Sequence, residues 1–177
     1  YDNDRLELIL LSGDSTLLPR AINYLGNDYS DLGQYDRAYQ YFTRSYQLAK
    51  KLNDSVTMSI AIHNVGNVFK ELGQFDIALN HFEFSRKLSK DVRDMEAEAY
   101  TDEEEGDLFM RMGDYEKSET YLLRALQAAR FHGIAFIEPR IQGKLASLYH
   151  LQGLNDIALL YYDSATALYQ KTNNVLG

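Results

Sequence analysis

Cysteine is absent from the 177 residues of this chain, which excludes disulfide bridges, thiolate metal sites and thiol nucleophiles. Proline occurs only twice and no low-complexity tract is present, so the chain is not typical of a disordered linker. Long apolar runs are also missing, because stretches such as LELILL are far shorter than the roughly 20 residues that a membrane helix needs. We therefore predict a soluble, folded chain without a membrane span, and both cytoplasm and periplasm fit it.

Bases are in the minority. The chain has 18 lysines and arginines against 26 aspartates and glutamates, a formal net charge of −8, which argues against a nucleic-acid partner. The excess of acid is local, since DVRDMEAEAYTDEEEGD holds nine acids and one arginine, and acids and bases are equal in number elsewhere. We call this stretch, residues 91–107, the acidic segment.

Catalytic signatures are missing as well. The histidines at positions 63, 81, 132 and 150 stand far apart and form no HExxH pair. No G-x-S-x-G, glycine-rich phosphate loop or dinucleotide-binding fingerprint occurs. The acidic segment contains no loop with the ordered ligand spacing of a calcium site. The sequence therefore predicts a protein that is not an enzyme and that binds no cofactor and no metal.

What the chain does contain is an internal repeat of forty residues. Glycines, small residues, aromatic residues and large residues each recur in their own column. The columns are Gly33, Gly73, Gly113 and Gly153; Gly26, Gly66, Gly106 and Ala146; Tyr29, Phe69, Phe109 and Tyr149; Ala38, Ala78, Ser118 and Ala158; and Phe42, Phe82, Leu122 and Tyr162. Several independent columns in phase across four copies indicate a true repeat.

Each copy has the pattern of two helices. In VTMSIAIHNVGNVFKEL, Ile62, Val65 and Phe69 recur at steps of three and four, which is the stripe of an amphipathic helix. Gly73 is typical of a helix end, because glycine adopts the left-handed conformation at little steric cost. The next stretch, FDIALNHFEFSRKLSK, resumes the same spacing from Ala78 onwards. Each copy should therefore fold as a first helix, a glycine turn and a second helix.

A hairpin of this size cannot bury its own apolar face, so neighbouring copies must stack on each other. We predict an all-α fold of stacked antiparallel helical hairpins that forms one domain. The register gives the boundaries: residues 1–18 end a preceding repeat, and repeats one to four follow at 19–58, 59–98, 99–138 and 139–177 within the domain 1–177. Because the pattern is cut at both ends, we expect the chain to be a piece of a longer protein.

These columns resemble the tetratricopeptide repeat (TPR). In the first copy the signature positions of that family hold Leu25, Gly26, Tyr29, Gly33, Tyr35, Ala38 and Phe42, and the resemblance extends over residues 20–177. It implies a right-handed α-solenoid, a TPR-like superhelix whose first helices line a concave groove. The period of forty, against the usual period of about 34, is similar to the long-repeat branch found in kinesin light chains and in bacterial regulators that bind signalling peptides.

The third and fourth copies depart from the family pattern. Asp102, Glu105 and Gln142 stand where the family buries apolar side chains. Burial of Glu105 without a partner would cost several kcal/mol or raise its pKa. We therefore expect Glu105 to have a basic partner from the next copy, either Lys144 or Arg140.

The resemblance also implies which side chains a partner would contact, since the first helices of the family bind an extended peptide or a partner helix. Carried onto the matching columns, the partner-binding residues are Asn23, Asn27, His63, Asn67, Glu103, Asp107, Arg111 and Ser147. Asn27 and Asn67 share one column, and carboxamides in register can hold a peptide backbone through their donors and acceptors. The alternative is that these polar side chains are simply solvated.

The acidic segment also has two interpretations. It could form an electronegative wall of the groove that attracts a basic peptide, or it could be a solvated helix face that aids solubility.

For the whole chain, the first hypothesis is a scaffold that binds proteins or peptides. The alternative is the sensory segment of a larger signalling protein, whose kinase, diguanylate cyclase or transcription-regulator domain lies outside this chain. Uncapped end repeats also predict self-association.

Overall fold

The described chain, residues 16–92 and 94–175 of the computed structural model, consists of helices joined by short turns. The eight helices found in these residues are α1 Leu18–Asp31, α2 Tyr35–Lys51, α3 Ser55–Glu71, α4 Phe75–Val92, α5 Met95–Met112, α6 Tyr115–His132, α7 Glu138–Leu151 and α8 Asn155–Val175. The prediction of an all-α fold is confirmed. The predicted tail of a preceding repeat, residues 1–18, lies almost wholly outside the described residues.

The chain divides into two compact units. Unit 1 comprises residues 1–97 and unit 2 comprises residues 98–177. In unit 1, α1 packs on α2, α2 on α3 and α3 on α4, and α1 also meets α3. In unit 2, α6 packs on α7 and α7 on α8, while the hydroxyl of Ser118 on α6 donates to the carbonyl of Gly106 on α5 at 2.8 Å. Consecutive helices therefore pair as hairpins, as predicted, and the repeat boundaries stay predictions.

A glycine ends the first helix of each hairpin. The backbone at Gly33, Gly73, Gly113 and Gly153 is left-handed, with φ between +69° and +80°. The residue after the glycine then donates its N–H to the carbonyl of the aromatic column, for example Gln34 to Tyr29 at 2.8 Å. This bond satisfies a carbonyl that the helix end would otherwise leave unpaired. The predicted glycine turns are confirmed.

Carboxylates stabilise several helix starts. Asp54 accepts a hydrogen bond from the N–H of Thr57 at the start of α3, and Asp114 accepts one from the N–H of Lys117 at the start of α6. The second helices α2, α4, α6 and α8 also carry an acid in the first turn, where the helix dipole favours negative charge. Local electrostatics thus agree with the repeat register.

The small column allows the two helices of a hairpin to approach closely. A Cβ placed on Gly26 would lie 2.4 Å from the ring of Phe42, and one on Gly66 would lie 2.6 Å from the ring of Phe82. In the third hairpin, the same construction on Gly106 meets Leu122 at 2.6 Å. The large residue on the second helix therefore occupies the space that a side chain on the first helix would need.

Aromatic pairs close the other side of each hairpin. The ring on the first helix packs against the residue twelve positions later on the second helix, at centroid distances of 5.1–5.4 Å. The pairs are Tyr29–Tyr41, Phe69–His81, Phe109–Tyr121 and Tyr149–Tyr161. Burial, and then a hydrogen bond to Glu119, raise the pKa of Tyr149 above its usual range. Each hairpin is thus held by a contact that recurs in the forty-residue register.

Within each unit, apolar side chains also join one hairpin to the next. In unit 1, Ala38 and Phe42 of α2 share one buried cluster with Val65 and Val68 of α3. In unit 2, residues of α6 such as Leu126 share a cluster with residues of α7 such as Leu145. Thus α2 covers α3 in unit 1 and α6 covers α7 in unit 2, which is the stacking that the repeat requires.

We predict that Gly66→Ala destabilises the protein, because the new methyl group overlaps the ring of Phe82 in a packed core. The free energy of unfolding should fall by about 1–3 kcal/mol, the usual range for overpacking, as measured by urea denaturation. Gly143→Ala is the matched control, since a Cβ on this helical glycine meets nothing within 4 Å. That variant should gain up to about 1 kcal/mol from helix propensity. Equal effects of both substitutions would contradict the close-approach explanation.

A second prediction concerns His81, whose ring stacks on Phe69 and whose pKa burial lowers from 6.5. The unfolded chain therefore takes up a proton first as the pH falls, so the free energy of unfolding should decrease through pH 6.5 and level off below the folded pKa. His81→Phe keeps a stacked ring but does not titrate. Urea denaturation at about pH 7.5 and pH 5.5, above the range in which carboxylates titrate, should show a smaller decrease in His81→Phe than in the wild type. An unchanged decrease would assign the effect to other groups.

Candidate functional site

In unit 1 the first helices α1 and α3 lie side by side and carry a group of polar residues that we call the amide face. Its members are Asn23 and Asn27 on α1, and His63, Asn64 and Asn67 on α3. Steps of three and four residues place the members on one side of each helix. Asn23 is buried, whereas the other four are half-buried and so remain partly accessible.

Asn64 joins the two helices of the amide face. Its Nδ2 group donates to Oδ1 of Asn27 at 3.1 Å and to Oδ1 of Asn23 at 3.3 Å. Both hydrogens of this amide group are therefore used. The sequence reasoning selected Asn23 and Asn27 but missed Asn64. The forty-residue register held a signal for it, because Asn64 shares its column with Lys144, which has a bridging role in unit 2.

The other two predicted residues of the amide face make different contacts. The Oδ1 atom of Asn67 is buried and has no hydrogen-bond partner among the described residues. A buried acceptor without a partner costs about 1–3 kcal/mol. The ring of His63 lies 5.3 Å from that of Phe82, so it covers the core of the second hairpin. The predicted ladder from Asn27 to Asn67 stays a prediction.

In unit 2 the corresponding helices α5 and α7 are joined by ion pairs, which we call the ionic face. The fully buried Glu103 pairs with Arg140, whose Nε donates to Oε1 of Glu103 at 2.5 Å. The Nζ atom of Lys144 lies 3.1 Å from the same oxygen and 3.0 Å from Oε1 of Glu104. The guanidinium of Arg140 also lies 4.8 Å from the centre of the Tyr100 ring. These contacts tie α5 to α7.

The ion pairs determine the protonation of the bases. Burial opposes the charge on Lys144, but the carboxylates of Glu104 and Glu103 outweigh burial and raise its pKa above 10.5. For Arg140, burial is likewise outweighed by the hydrogen bond to Glu103, so its pKa is also raised. A base with a raised folded pKa contributes stability at all pH values below its unfolded pKa and loses it only as the pH rises through the folded pKa. Arg140 and Lys144 therefore stay charged throughout the neutral range.

The two faces use the same columns of the repeat. Lys144 occupies the column of Asn64, and Glu103 occupies the column of Asn23. In unit 1, Asn64 bridges to Asn23 by a hydrogen bond between neutral amides; in unit 2, Lys144 bridges to Glu103 by an ion pair. The same columns of the repeat thus carry a neutral bridge in one unit and a charged bridge in the other.

A second group of charges lies inside the third hairpin. The Nε atom of Arg124 on α6 donates to Oδ2 of Asp102 at 2.5 Å, and its guanidinium lies 4.0 Å from Oε2 of Glu105. Both acids are buried. Arg124 on α6 thus meets Glu105, whereas the two expected partners, Lys144 and Arg140, pair with Glu103 in the ionic face. Periodicity alone could not distinguish between the two helices that pack against α5.

The remaining predicted residues also make contacts within unit 2. Arg111 donates from Nε to Oδ2 of Asp107 at 3.1 Å, one helical turn earlier. The hydroxyl of Ser147 donates to the carbonyl of Gly143 at 3.0 Å and lies 3.2 Å from the hydroxyl of Tyr162. These side chains are thus engaged within the unit, and their contact with a partner stays a prediction.

Most of the acidic segment's carboxylates on α5 are covered. Asp102, Glu103, Glu105 and Asp107 are buried, and each lies within 4.0 Å of an arginine or lysine nitrogen. The interpretation of a solvated charge face is therefore wrong for these four residues, although Glu96 in the first turn of α5 is exposed. The carboxylates are neutralised from within unit 2.

Neither a metal site nor a membrane helix is found in the part of the chain that the structure describes. Across residues 16–92 and 94–175, no three carboxylate or imidazole side chains are grouped so that they could hold a metal ion. No helix in these two ranges combines the length and the apolar content that a bilayer span requires.

Two models of the tetratricopeptide repeat match the sequence, one over residues 17–91 and the other over residues 104–132. Together they cover more than half of the chain, which therefore belongs to the tetratricopeptide repeat family. The predicted family is confirmed, and neither matching model describes a catalytic family. The chain is thus a helical repeat domain of a type that serves as a scaffold for protein or peptide binding. No curated protein matches the sequence.

Several solved structures share the fold at low sequence identity. Aspartyl phosphate phosphatase F from Bacillus subtilis is 17% identical, with a TM-score of 0.81 over 96% of this chain and 45% of its own. BtubC (BKLC) from P. vanneervenii is 17% identical, with a TM-score of 0.71 over 90% and 66%. The Rap conjugation gene regulator of plasmid pLS20, solved with the Phr* peptide, is 18% identical, with a TM-score of 0.75 over 88% and 44%. This chain thus spans 44–66% of these three structures.

We predict that Glu103→Gln destabilises the protein, because it leaves Arg140 and Lys144 without their shared buried carboxylate. The free energy of unfolding should fall by about 3 kcal/mol, the lower end for breaking a buried ion pair, since the arginine is partly exposed. Urea denaturation followed by circular dichroism at neutral pH measures the change. Glu96→Gln, which alters an exposed acid of the same helix, should change the stability by less than about 0.5 kcal/mol. Similar values for the two variants would mean that the ion pairs contribute little.

Proposed function

We propose that this chain is a peptide-binding scaffold and that the amide face of unit 1 holds an extended segment of a partner protein. One observation carries the proposal: half-buried carboxamides from two successive first helices meet at one partly accessible face. Side-chain amides offer both donors and acceptors, so they can pair with a peptide backbone whatever its side chains are. An extended segment needs such partners, because it forms no hydrogen bonds within itself.

The carboxamides of Asn27 and Asn67 in the amide face are separate from the apolar contacts that hold the hairpins together. Those contacts are the glycine approach, such as Gly66 to Phe82, and the apolar cluster around Phe42 and Val65. Asn27 and Asn67 belong to neither of them. Their half-buried positions therefore favour a role in binding over a role in the core.

The charge distribution supports unit 1 over unit 2 as the place of binding. In unit 2 the columns that match the amide face hold Glu103 and Asp107, and both are already paired with bases of the same unit. A basic peptide would have to compete with Arg140 and Lys144 for these carboxylates. We therefore do not assign a basic character to the partner.

The Rap conjugation gene regulator lends support, since that structure contains a peptide and shares the repeat fold with this chain. It also supports a second candidate function, a sensory segment within a larger signalling protein. This chain covers 44% of that regulator, so a comparable protein would have room for a further domain. Self-association through apolar residues exposed on α8, such as Leu159 and Leu160, stays a prediction.

The test is a selection from a phage-displayed library of random dodecapeptides against the 177-residue chain, followed by calorimetry with one selected synthetic peptide. Asn27→Ala combined with Asn67→Ala should weaken binding of that peptide roughly 10- to 30-fold, because two hydrogen bonds of about 1 kcal/mol each are lost. The melting temperature should stay nearly unchanged, because two effects oppose each other: Asn27→Ala removes a hydrogen bond from Asn64, and Asn67→Ala removes a buried oxygen that has no partner among the described residues.

The matched control is Gln40→Ala combined with Asn80→Ala. These two exposed carboxamides stand one repeat apart on the second helices α2 and α4. Their removal should leave binding within about twofold of the wild type, a free-energy change of about 0.4 kcal/mol. An equal loss of affinity in both double variants would place the binding elsewhere, and a selection that yields no peptide would count against the proposed function itself.

A further inference from the structure

The hydrogen bonds of Asn64 have a direction, and this direction constrains what the amide face can recognise. A carboxamide has one end that donates and one end that accepts. Asn64 donates both hydrogens of its Nδ2 group to the Oδ1 atoms of Asn23 and Asn27. The accepting ends of these two side chains therefore point at Asn64. Asn27 is half-buried at this face, and the polar group that it can still offer to a ligand is its own Nδ2 group.

The side chain of Asn67 also has its oxygen turned inward. Its Oδ1 atom is buried and makes no hydrogen bond in the described part of the chain, although the residue as a whole is half-buried. The accepting end of Asn67 is thus withdrawn from solvent. Asn27 and Asn67, which share a column one repeat apart, both turn their oxygens inward, and N–H donors remain as the groups that they can offer to a ligand.

We propose that Asn64 is a positioning residue that orients the amide face so that it presents N–H donors, and that the bound segment is recognised through the carbonyl oxygens of its backbone. This inference rests on the proposed function, because it concerns what the same face selects. The partner is then an extended peptide whose carbonyls face α1 and α3. The amide face does not bind the N–H groups of the peptide backbone.

Carboxylates are the other source of oxygen acceptors, and the local charge disfavours them. Asp28 and Asp31 are exposed acids at the end of α1, against the single base Arg20. Glu71 at the end of α3 lies 3.8 Å from Lys70, so the two helices together carry a net charge of −1. A carboxylate near them would be repelled. Neutral carbonyl oxygens meet no such repulsion and fit the neutral donors of Asn27 and Asn67.

Unit 2 suggests the variants that test this polarity, since Lys144, a residue with donors only, occupies the column of Asn64. Asn64→Lys keeps a donor opposite the oxygens of Asn23 and Asn27, so affinity for the library-selected dodecapeptide should stay within about threefold of the wild type. Asn64→Asp offers acceptors only, which should turn both asparagines round and weaken binding about tenfold or more. Asn80→Lys and Asn80→Asp introduce the same charges at an exposed position of α4 and should each change affinity less than about twofold.

Chemical changes in the peptide test the same polarity from the other side. N-methylation removes a backbone N–H and leaves the carbonyl, so single N-methyl substitutions should be tolerated. An (E)-alkene replacement removes the carbonyl as well, and at the central positions it should weaken binding about tenfold. A peptide with a C-terminal amide should bind as well as the free acid; a marked preference for the acid would instead identify a carboxylate as the recognised group and overturn the carbonyl assignment.

Hydrogen exchange of side-chain amides, measured by nuclear magnetic resonance on the free protein, decides the orientation without any peptide. In the wild type the Nδ2 protons of Asn64 should exchange slowly and those of Asn27 rapidly. In Asn64→Asp the protons of Asn27 should become protected. Protected Asn27 protons in the wild type, or full binding by Asn64→Asp, would overturn the inference. A library that yields no binder alongside the expected exchange pattern would refute the proposed function while leaving the orientation supported.

Discussion

Within each of the first three hairpins, a glycine on the first helix meets a large side chain of the second helix at a distance that leaves no room for a methyl group. The other contacts within these hairpins form alongside this approach. It brings the aromatic column within stacking distance of the residue twelve positions later, and it allows Ser118 to bond the carbonyl of Gly106. Because packed interiors respond to the addition of a single methyl group, the small column limits how far the sequence of a copy can vary.

Within each unit, stacking brings the two first helices together, and the residues at their contact give the unit its chemical character. The column shared by Asn64 and Lys144 reaches back to the column shared by Asn23 and Glu103. Amides in this arrangement satisfy one another while leaving donors over, since each carboxamide has more hydrogen-bonding groups than one bridge uses. In the charged bridge of unit 2, more of the hydrogen-bonding groups of Lys144 and Glu103 are used within the ion pairs. Fewer of these groups therefore remain for a ligand.

The buried charges of unit 2 are understandable as a set. A buried carboxylate is tolerated only where a base and further hydrogen bonds compensate for the water that it has lost. Glu103 has Arg140 and Lys144, and Asp102 has Arg124, all from helices packed against α5. The acids that stand where the family has apolar residues therefore do not imply loose packing. They replace apolar contacts by ion pairs, which are more directional.

The sequence by itself determined the repeat and its elements. Gly73, the stripe of Ile62, Val65 and Phe69, and the forty-residue register predicted the hairpins, because helix periodicity and glycine turns depend on residues close together in the chain. Only the tertiary structure decided that Arg124 meets Glu105, that Asn64 bridges α1 to α3, and that four carboxylates of the acidic segment on α5 are buried and paired. Those outcomes depend on which of several neighbouring helices a side chain reaches and on which end of an amide it turns outward. Apart from the pair Asp107–Arg111, such choices are made between residues 19–41 positions apart, where local periodicity carries no information.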